Sequence, residues 1–220
     1  MEEIYAKYID APEVNYLFGE GYKLIKSGKI DAFMKEDLNS LHTGIKNILC
    51  NCYIFHLKTA QDEYYLFKSI EKDMAFLSRV PREEIFSGLS SLHREFLNNI
   101  GEVIYFWGFS KGDGPFSNLA FMFLNTNTKG LGDLYQSYEE QCNVYSKEIN
   151  SFVDELVIFA EETEGCLLLY DHQENIYKYA FENIYSYLTL VENYPPKTLY
   201  RINNIKTLSD WVDKFSELII

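Results

Sequence analysis

The chain lacks any apolar run approaching the roughly 18 residues that cross a bilayer, and its first residues, Met1-Glu2-Glu3-Ile4-Tyr5, place no basic stretch ahead of an apolar one. Membrane insertion and export are therefore not expected, and a cytoplasmic location is. Cysteine is scarce, with only Cys50, Cys52, Cys142 and Cys166. Without an export signal these are expected to be buried free thiols rather than two disulfides. Positive charge is also short: 20 Lys and Arg face 33 Asp and Glu, giving a net charge of -13 and a pI near 4.8. Phosphate recognition needs a concentrated basic surface, so nucleic-acid binding is not expected, whereas a basic protein would be steered toward this chain.

The signatures of common chemistries are missing as well. His42, His56, His93 and His172 stand at no helical or hairpin spacing suited to a metal, and Cys50-x-Cys52 has no second pair at zinc-ribbon distance. Asp171-His172 has no Ser or Cys in a nucleophile-elbow context to complete a triad. Phe18-Gly19-Glu20-Gly21-Tyr22 and Lys111-Gly112-Asp113-Gly114 follow neither dinucleotide nor P-loop spacing and read as turns. The carboxylates at 154–164 sit in polar surroundings unsuited to a glycosidase acid and lack the alternation of a calcium loop. The expectation is a protein with no catalytic residues, metal or cofactor.

Aromatic side chains are abundant, with 18 Tyr and 16 Phe in 220 residues. Flat rings suit a half-buried pleated surface and leave contact area for an interface. A chain of this length, 47% hydrophobic, can bury a sizeable core.

Through about Phe55 the pattern reads as short helices. Asp31 caps one running through Ala32, Phe33, Met34 and Leu38, and Leu41, Ile45, Ile48 and Leu49 extend an apolar stripe at helical spacing. Residues 50–57 read equally as a strand or as the buried end of the preceding helix. Thr59-Ala60-Gln61-Asp62 opens a helix carrying Tyr65, Leu66, Ile70, Met74 and Leu77, and Val80-Pro81-Arg82-Glu83-Glu84-Ile85 starts a shorter one. Residues 90–101 predict a capped helix with Leu92, Phe96 and Ile100 inside and Gly101 as its stop. After Gly101 the period changes, and 103–109, 119–124, 156–160, 165–171 and 176–179 read as strands whose short connections suit antiparallel pairing. A helix is expected over 133–148 with Leu134, Tyr138 and Tyr145 inward. A closing helix carries Leu208, Trp211, Val212, Phe215 and Leu218 on one face. The expected fold is α+β, a mainly antiparallel sheet flanked by helices, with a helical N-terminal extension over 1–58 and a main domain over 59–220.

Three segments carry a family resemblance. Leu89-Ser90-Ser91-Leu92-His93-Arg94-Glu95-Phe96-Leu97 leads through Ile100-Gly101 into a strand. Leu156-Val157-Ile158-Phe159-Ala160 and Gly165-Cys166-Leu167-Leu168-Leu169-Tyr170-Asp171 form a hairpin. Leu208-Ser209-Asp210-Trp211-Val212-Asp213-Lys214-Phe215 closes the chain. In this order they resemble the SUKH superfamily, which includes the fungal Smi and Knr cell-wall regulators and many bacterial immunity proteins. The likeness covers about 70–220. It implies an α+β fold without catalytic residues and a role in binding a protein, most often a toxin of nuclease or deaminase type. A regulatory or scaffold protein of the same fold is the alternative.

The acids concentrate in one stretch. Asp133, Glu139, Glu140, Glu148, Asp154, Glu155, Glu161, Glu162, Glu164, Asp171 and Glu174 are opposed there only by Lys147. Asp154, Glu155, Glu161, Glu162, Glu164 and Asp171 are the expected contacts for a basic protein partner, since complementary charge speeds encounter and fixes orientation. The alternative is a set of solvated strand connections that repel edge pairing. Trp107, at a strand end beside a Gly-rich loop, is the aromatic expected to join that interface.

Overall fold

The computed structural model describes residues 7–9, 18, 21–33, 38–80, 85–109, 111–126, 128–181 and 185–220. The strands are β1 (Lys23–Gly28), β2 (Cys52–Lys58), β3 (Glu63–Ser69), β4 (Ala75–Arg79), β5 (Val103–Trp107) and β6 (Leu119–Met122), with β2, β3 and β5 rich in β-branched and aromatic residues. They continue in β7 (Val157–Glu162), β8 (Leu167–Tyr170), β9 (Ile176–Tyr179), β10 (Leu188–Leu190) and β11 (Leu199–Ile202). All join one antiparallel sheet in the order β1-β2-β3-β4-β5-β6-β7-β8-β9-β11-β10. The order follows the chain except at its end, where β11 pairs β9 and leaves β10 at the edge.

Four helices of two or more turns accompany the sheet among the described residues: α1 (Thr43–Cys50), α2 (Ser91–Asn99), α3 (Tyr135–Val144) and α4 (Leu208–Ile219). Alternation along the strands separates the two faces. On β3, Tyr65 and Phe67 face the core built with α1, α2 and α4, while Tyr64 and Leu66 face a second core closed by Tyr8, Ile9 and Phe18. On β8, Leu168 and Tyr170 join the first core, while Leu167 and Leu169 lie under α3. Helices thus pack on a mainly antiparallel sheet, as expected of an α+β chain.

Local chemistry explains the helix ends. Ser90 caps α2 by accepting from His93 N at 3.2 Å, as its position before the apolar stripe predicts. Thr207 and Asp210 form a reciprocal capping box on α4, whose Trp211, Val212 and Phe215 are fully buried. Gly44 lets α1 approach α4 closely, because a Cβ there would stand 2.9 Å from Val212.

Several expectations give way. The stretch up to residue 58 is not simply helical: beside α1 it holds β1 and β2, and Asp31 sits in a single 3-10 turn, Ile30–Ala32. The boundary expected at 58 falls within the β2–β3 hairpin, where Lys58 pairs with Glu63. The helix expected from Thr59 is that hairpin and β4. Both faces of β3 and β4 are covered, so their apolar runs have no single period and coincidentally fit helical spacing. The helix start at Pro81 lies outside the described residues. The helix expected over 133–148 stops at Val144, which leaves Tyr145 exposed rather than inward. Cys50 is exposed, whereas Cys52, Cys142 and Cys166 are buried thiols.

Candidate functional site

Strand β7 sorts the acids. Asp154 and Glu155 end a 3-10 turn, Ser151–Glu155, immediately before β7, and both are exposed. Glu161 and Glu162 lie at the other end of the strand, with Glu164 just beyond, so about 20 Å of extended chain separates the two groups. They do not form one patch.

Two of the expected contacts face inward. Glu162 is in a strand rather than a polar turn, and its side chain is fully buried against that of Lys178. The ammonium also lies 3.3 Å from the Tyr187 hydroxyl and 4.5 Å from the centre of the Tyr185 ring, and the two rings stack 5.1 Å apart. Tyr185 accepts from Asn118 and donates to Glu164 at 3.0 Å, tying exposed Glu164 to the same cover. Burial pushes the Glu162 carboxyl up against the opposing pull of Lys178. Asp171 is buried at the end of β8, where it accepts from Gln173 N, Asn175 N, the Asn175 amide and the Tyr177 hydroxyl. It shapes a turn, because a carboxylate with this many donors has no capacity left for a partner.

Trp107 belongs elsewhere. It packs 4.8 Å from Tyr105 and edge-on to Tyr8 at 5.6 Å, in the core beneath the N-terminal segment, and its indole Nε1 is buried without a hydrogen-bond partner. His93 is likewise structural. Burial pushes its imidazole down to about 3, and its Nδ1 lies 3.1 Å from the Tyr170 hydroxyl, joining α2 to β8.

Of the exposed acids, Asp154 lies near Tyr135, the first residue of α3. Burial, then the charges of Asp154 and Glu139, push the Tyr135 hydroxyl up. Glu140 and Glu148 are exposed on the same element and the loop that follows it. Val144, which ends α3, and Tyr145 and Ile149 in the loop are 71%, 45% and 47% exposed. The loop is held in shape: Tyr145 N donates to Gln141 O, Lys147 N to Cys142 O, and Asn150 N to the buried Tyr138 hydroxyl at 2.9 Å. Ser146 takes φ 52, which ends the helix and turns the chain outward. The outcome is an apolar projection on a segment that also exposes Glu140 and Glu148. Sequence reasoning found the acids but read Tyr145 as core. The polar Ser146-Lys147-Glu148 following Tyr145 was the available signal that the inner stripe had ended.

No protein-family model, curated protein or solved structure matches the chain. Function must therefore be argued from the site alone. Among the described residues no group of three or more His, Cys, Asp or Glu is placed to hold a metal ion. No described helix is long and apolar enough to cross a membrane. Exposed apolar side chains neighboured in the chain by exposed acids have the composition of a protein contact surface, in which buried rings anchor and charges steer.

Proposed function

We propose that the protein is a non-catalytic binding module of immunity type, with a SUKH-like fold, that neutralises a basic toxin domain of nuclease or deaminase class in the cytoplasm. One observation carries the reading: Val144, Tyr145 and Ile149 are exposed at the end of α3 and in the loop after it, a segment that also exposes Glu140 and Glu148. Apolar side chains this exposed are costly to leave in water and useful when a partner covers them. The surrounding acids set the partner's charge, and the net charge of -13 adds long-range attraction. Of the expected contacts, Asp154 and Glu155 are exposed in the turn that follows this loop in the chain, and Glu161 and Glu164 lie at the far end of β7. Trp107, Glu162 and Asp171 serve the fold.

The test is association kinetics with any basic toxin domain found encoded beside this gene. Joint replacement E148K/D154K/E155K should slow association at least about tenfold at low salt and flatten its salt dependence. E161K/E164K should change it far less. Unchanged rates for the first variant, or no binding by any neighbouring toxin domain, would remove the proposal.

A further inference from the structure

On the face of the sheet opposite the N-terminal segment, a cavity of about 170 Å³ opens between β2, β3, the 3-10 turn at Ile30 and the C-terminal end of α2. Its apolar walls include Phe33, Ile54, Tyr65 and Phe67, and among the described residues its polar rim is Asn98 and Asn99. The rings are set edge to face, Phe33 against Tyr65 at 6.0 Å and Tyr65 against Phe67 at 6.1 Å, an arrangement that presents ring edges and faces to a further aromatic. An apolar protein cavity of ~150 Å³ accepts one benzene ring. The volume here fits one six-membered ring and is too small for two.

The rim decides the substituent. Asn99 spends its amide N–H on Glu95 O at 2.8 Å, which leaves its Oδ1 as an acceptor, and Asn98 is exposed. Both residues lie in the last turn of α2, where helix carbonyls concentrate negative potential. An anionic ligand is disfavoured there. Lys26 Nζ stands 5.1 Å over the Phe33 ring, so a cationic one is disfavoured on the other side. A neutral hydrogen-bond donor matches both.

We propose that this cavity binds a single free monocyclic aromatic molecule carrying a neutral hydrogen-bond donor, the chemistry of a phenol. The ring lies among Phe33, Tyr65 and Phe67, and the hydroxyl donates to Asn99 Oδ1. The assignment stands apart from the acidic projection, which lies on the opposite face of the sheet.

Phenol itself is the probe, titrated into the full chain and followed by amide shifts in a ¹H–¹⁵N spectrum. Saturable shifts confined to the β2–β3 hairpin and the Asn98 and Asn99 side chains are expected. Anisole, which lacks the donor, should bind about fivefold more weakly, the ratio that follows from losing one hydrogen bond of ordinary strength. Benzoate should bind more weakly still. N99L should bind phenol and anisole equally, and I54F, which fills the cavity, should bind neither. N-acetyltyrosinamide should bind less tightly than phenol, since its backbone has no room inside. Equal affinity for phenol and anisole in the native chain would overturn the assignment, as would undiminished binding by folded I54F or tighter binding of N-acetyltyrosinamide. N99L alters only the rim, so it still decides the question if I54F does not fold.

Discussion

Lys178 Nζ lies 2.7 Å from each carboxylate oxygen of Glu162, and neither side chain reaches solvent. The pair joins β7 to β9 across β8, beneath the stacked rings of Tyr185 and Tyr187. Desolvating two charges is expensive, and such a pair is often matched in stability by apolar residues of similar size. Removing one partner is different because the other charge is stranded.

Replacing Lys178 by Met should therefore cost about 3–5 kcal/mol at pH 7, and the double change E162L/K178M should recover most of it. Urea denaturation of the single and double variants measures this. The pH dependence has a definite sign. In K178M the Glu162 carboxyl, already raised by burial, is raised further. A carboxyl raised in the folded state binds more protons there than in the unfolded chain, so stability falls as pH rises through the interval between the two values. K178M should accordingly be less destabilised near pH 4.5 than at pH 7.

Asp171 shows the opposite linkage. Burial alone would raise its carboxyl, but hydrogen bonds from Asn175, Gln173 and Tyr177 outweigh burial and hold it below the usual carboxylate range. Its contribution is complete above the unfolded value, about 3.9, and is lost as pH falls through the folded one. D171N turns an amide N–H₂ toward donors and should cost roughly 1–3 kcal/mol at pH 7. The gap from the native chain should narrow below about pH 4. Urea midpoints measured from neutral to acid pH test both points.

Legibility in the sequence followed the degree of one-sided burial. Helices α2 and α4 each bury one face and carry a side-chain cap, so period and punctuation agreed. Strands β5, β7, β8 and β9 were visible as short apolar runs between turn residues. The hairpin β3–β4 was missed because both of its faces are covered, which removes alternation. Strand β1 was missed for the opposite reason: it is an edge, with Lys23, Ile25 and Lys26 exposed, and an edge strand protected by lysines has little apolar pattern. The candidate site divided along similar lines. Counting acids located the charged stretch. It did not reveal that alternation along β7 would turn Glu162 inward while Glu161 stayed half-exposed, or that β7 would hold Asp154 and Glu164 apart.

The N-terminal segment makes a separate prediction through Trp107. Tyr8 is buried against that indole, and its hydroxyl donates to Asp73 at 2.6 Å. Tyr8→Ala should cost ~3 kcal/mol, as for other large-to-small changes at buried aromatics. It should also make Trp107 emission red-shifted and open to iodide quenching. Trp211, fully buried in the opposite core, supplies an unquenched background. Unchanged quenching would show that Tyr8 does not shield the indole.

Among the described glycines, Gly101 is the most sharply constrained. It follows α2, where the sequence places a helix stop, and takes φ +93. The constraint exceeds that of an ordinary cap: a Cβ at this position would stand 1.9 Å from Arg79 O, within the backbone of the neighbouring strand. That strand is fixed on either side of the contact, because Arg79 N donates to Glu102 O at 2.9 Å and the Ser78 hydroxyl to Ile100 O at 2.6 Å. Neither chain can withdraw without breaking the junction of α2, β4 and β5. Gly101→Ala should therefore cost more than about 2 kcal/mol, the sum of a disfavoured backbone conformation and a displaced strand. The expected drop in Tm is about 5 °C or more for a chain of this size. Gly88→Ala is the control, since a Cβ there meets nothing within 4 Å and its backbone needs no positive φ. Thermal unfolding of the two variants separates the effects: equal melting temperatures would mean that the close approach at Gly101 does not constrain the fold.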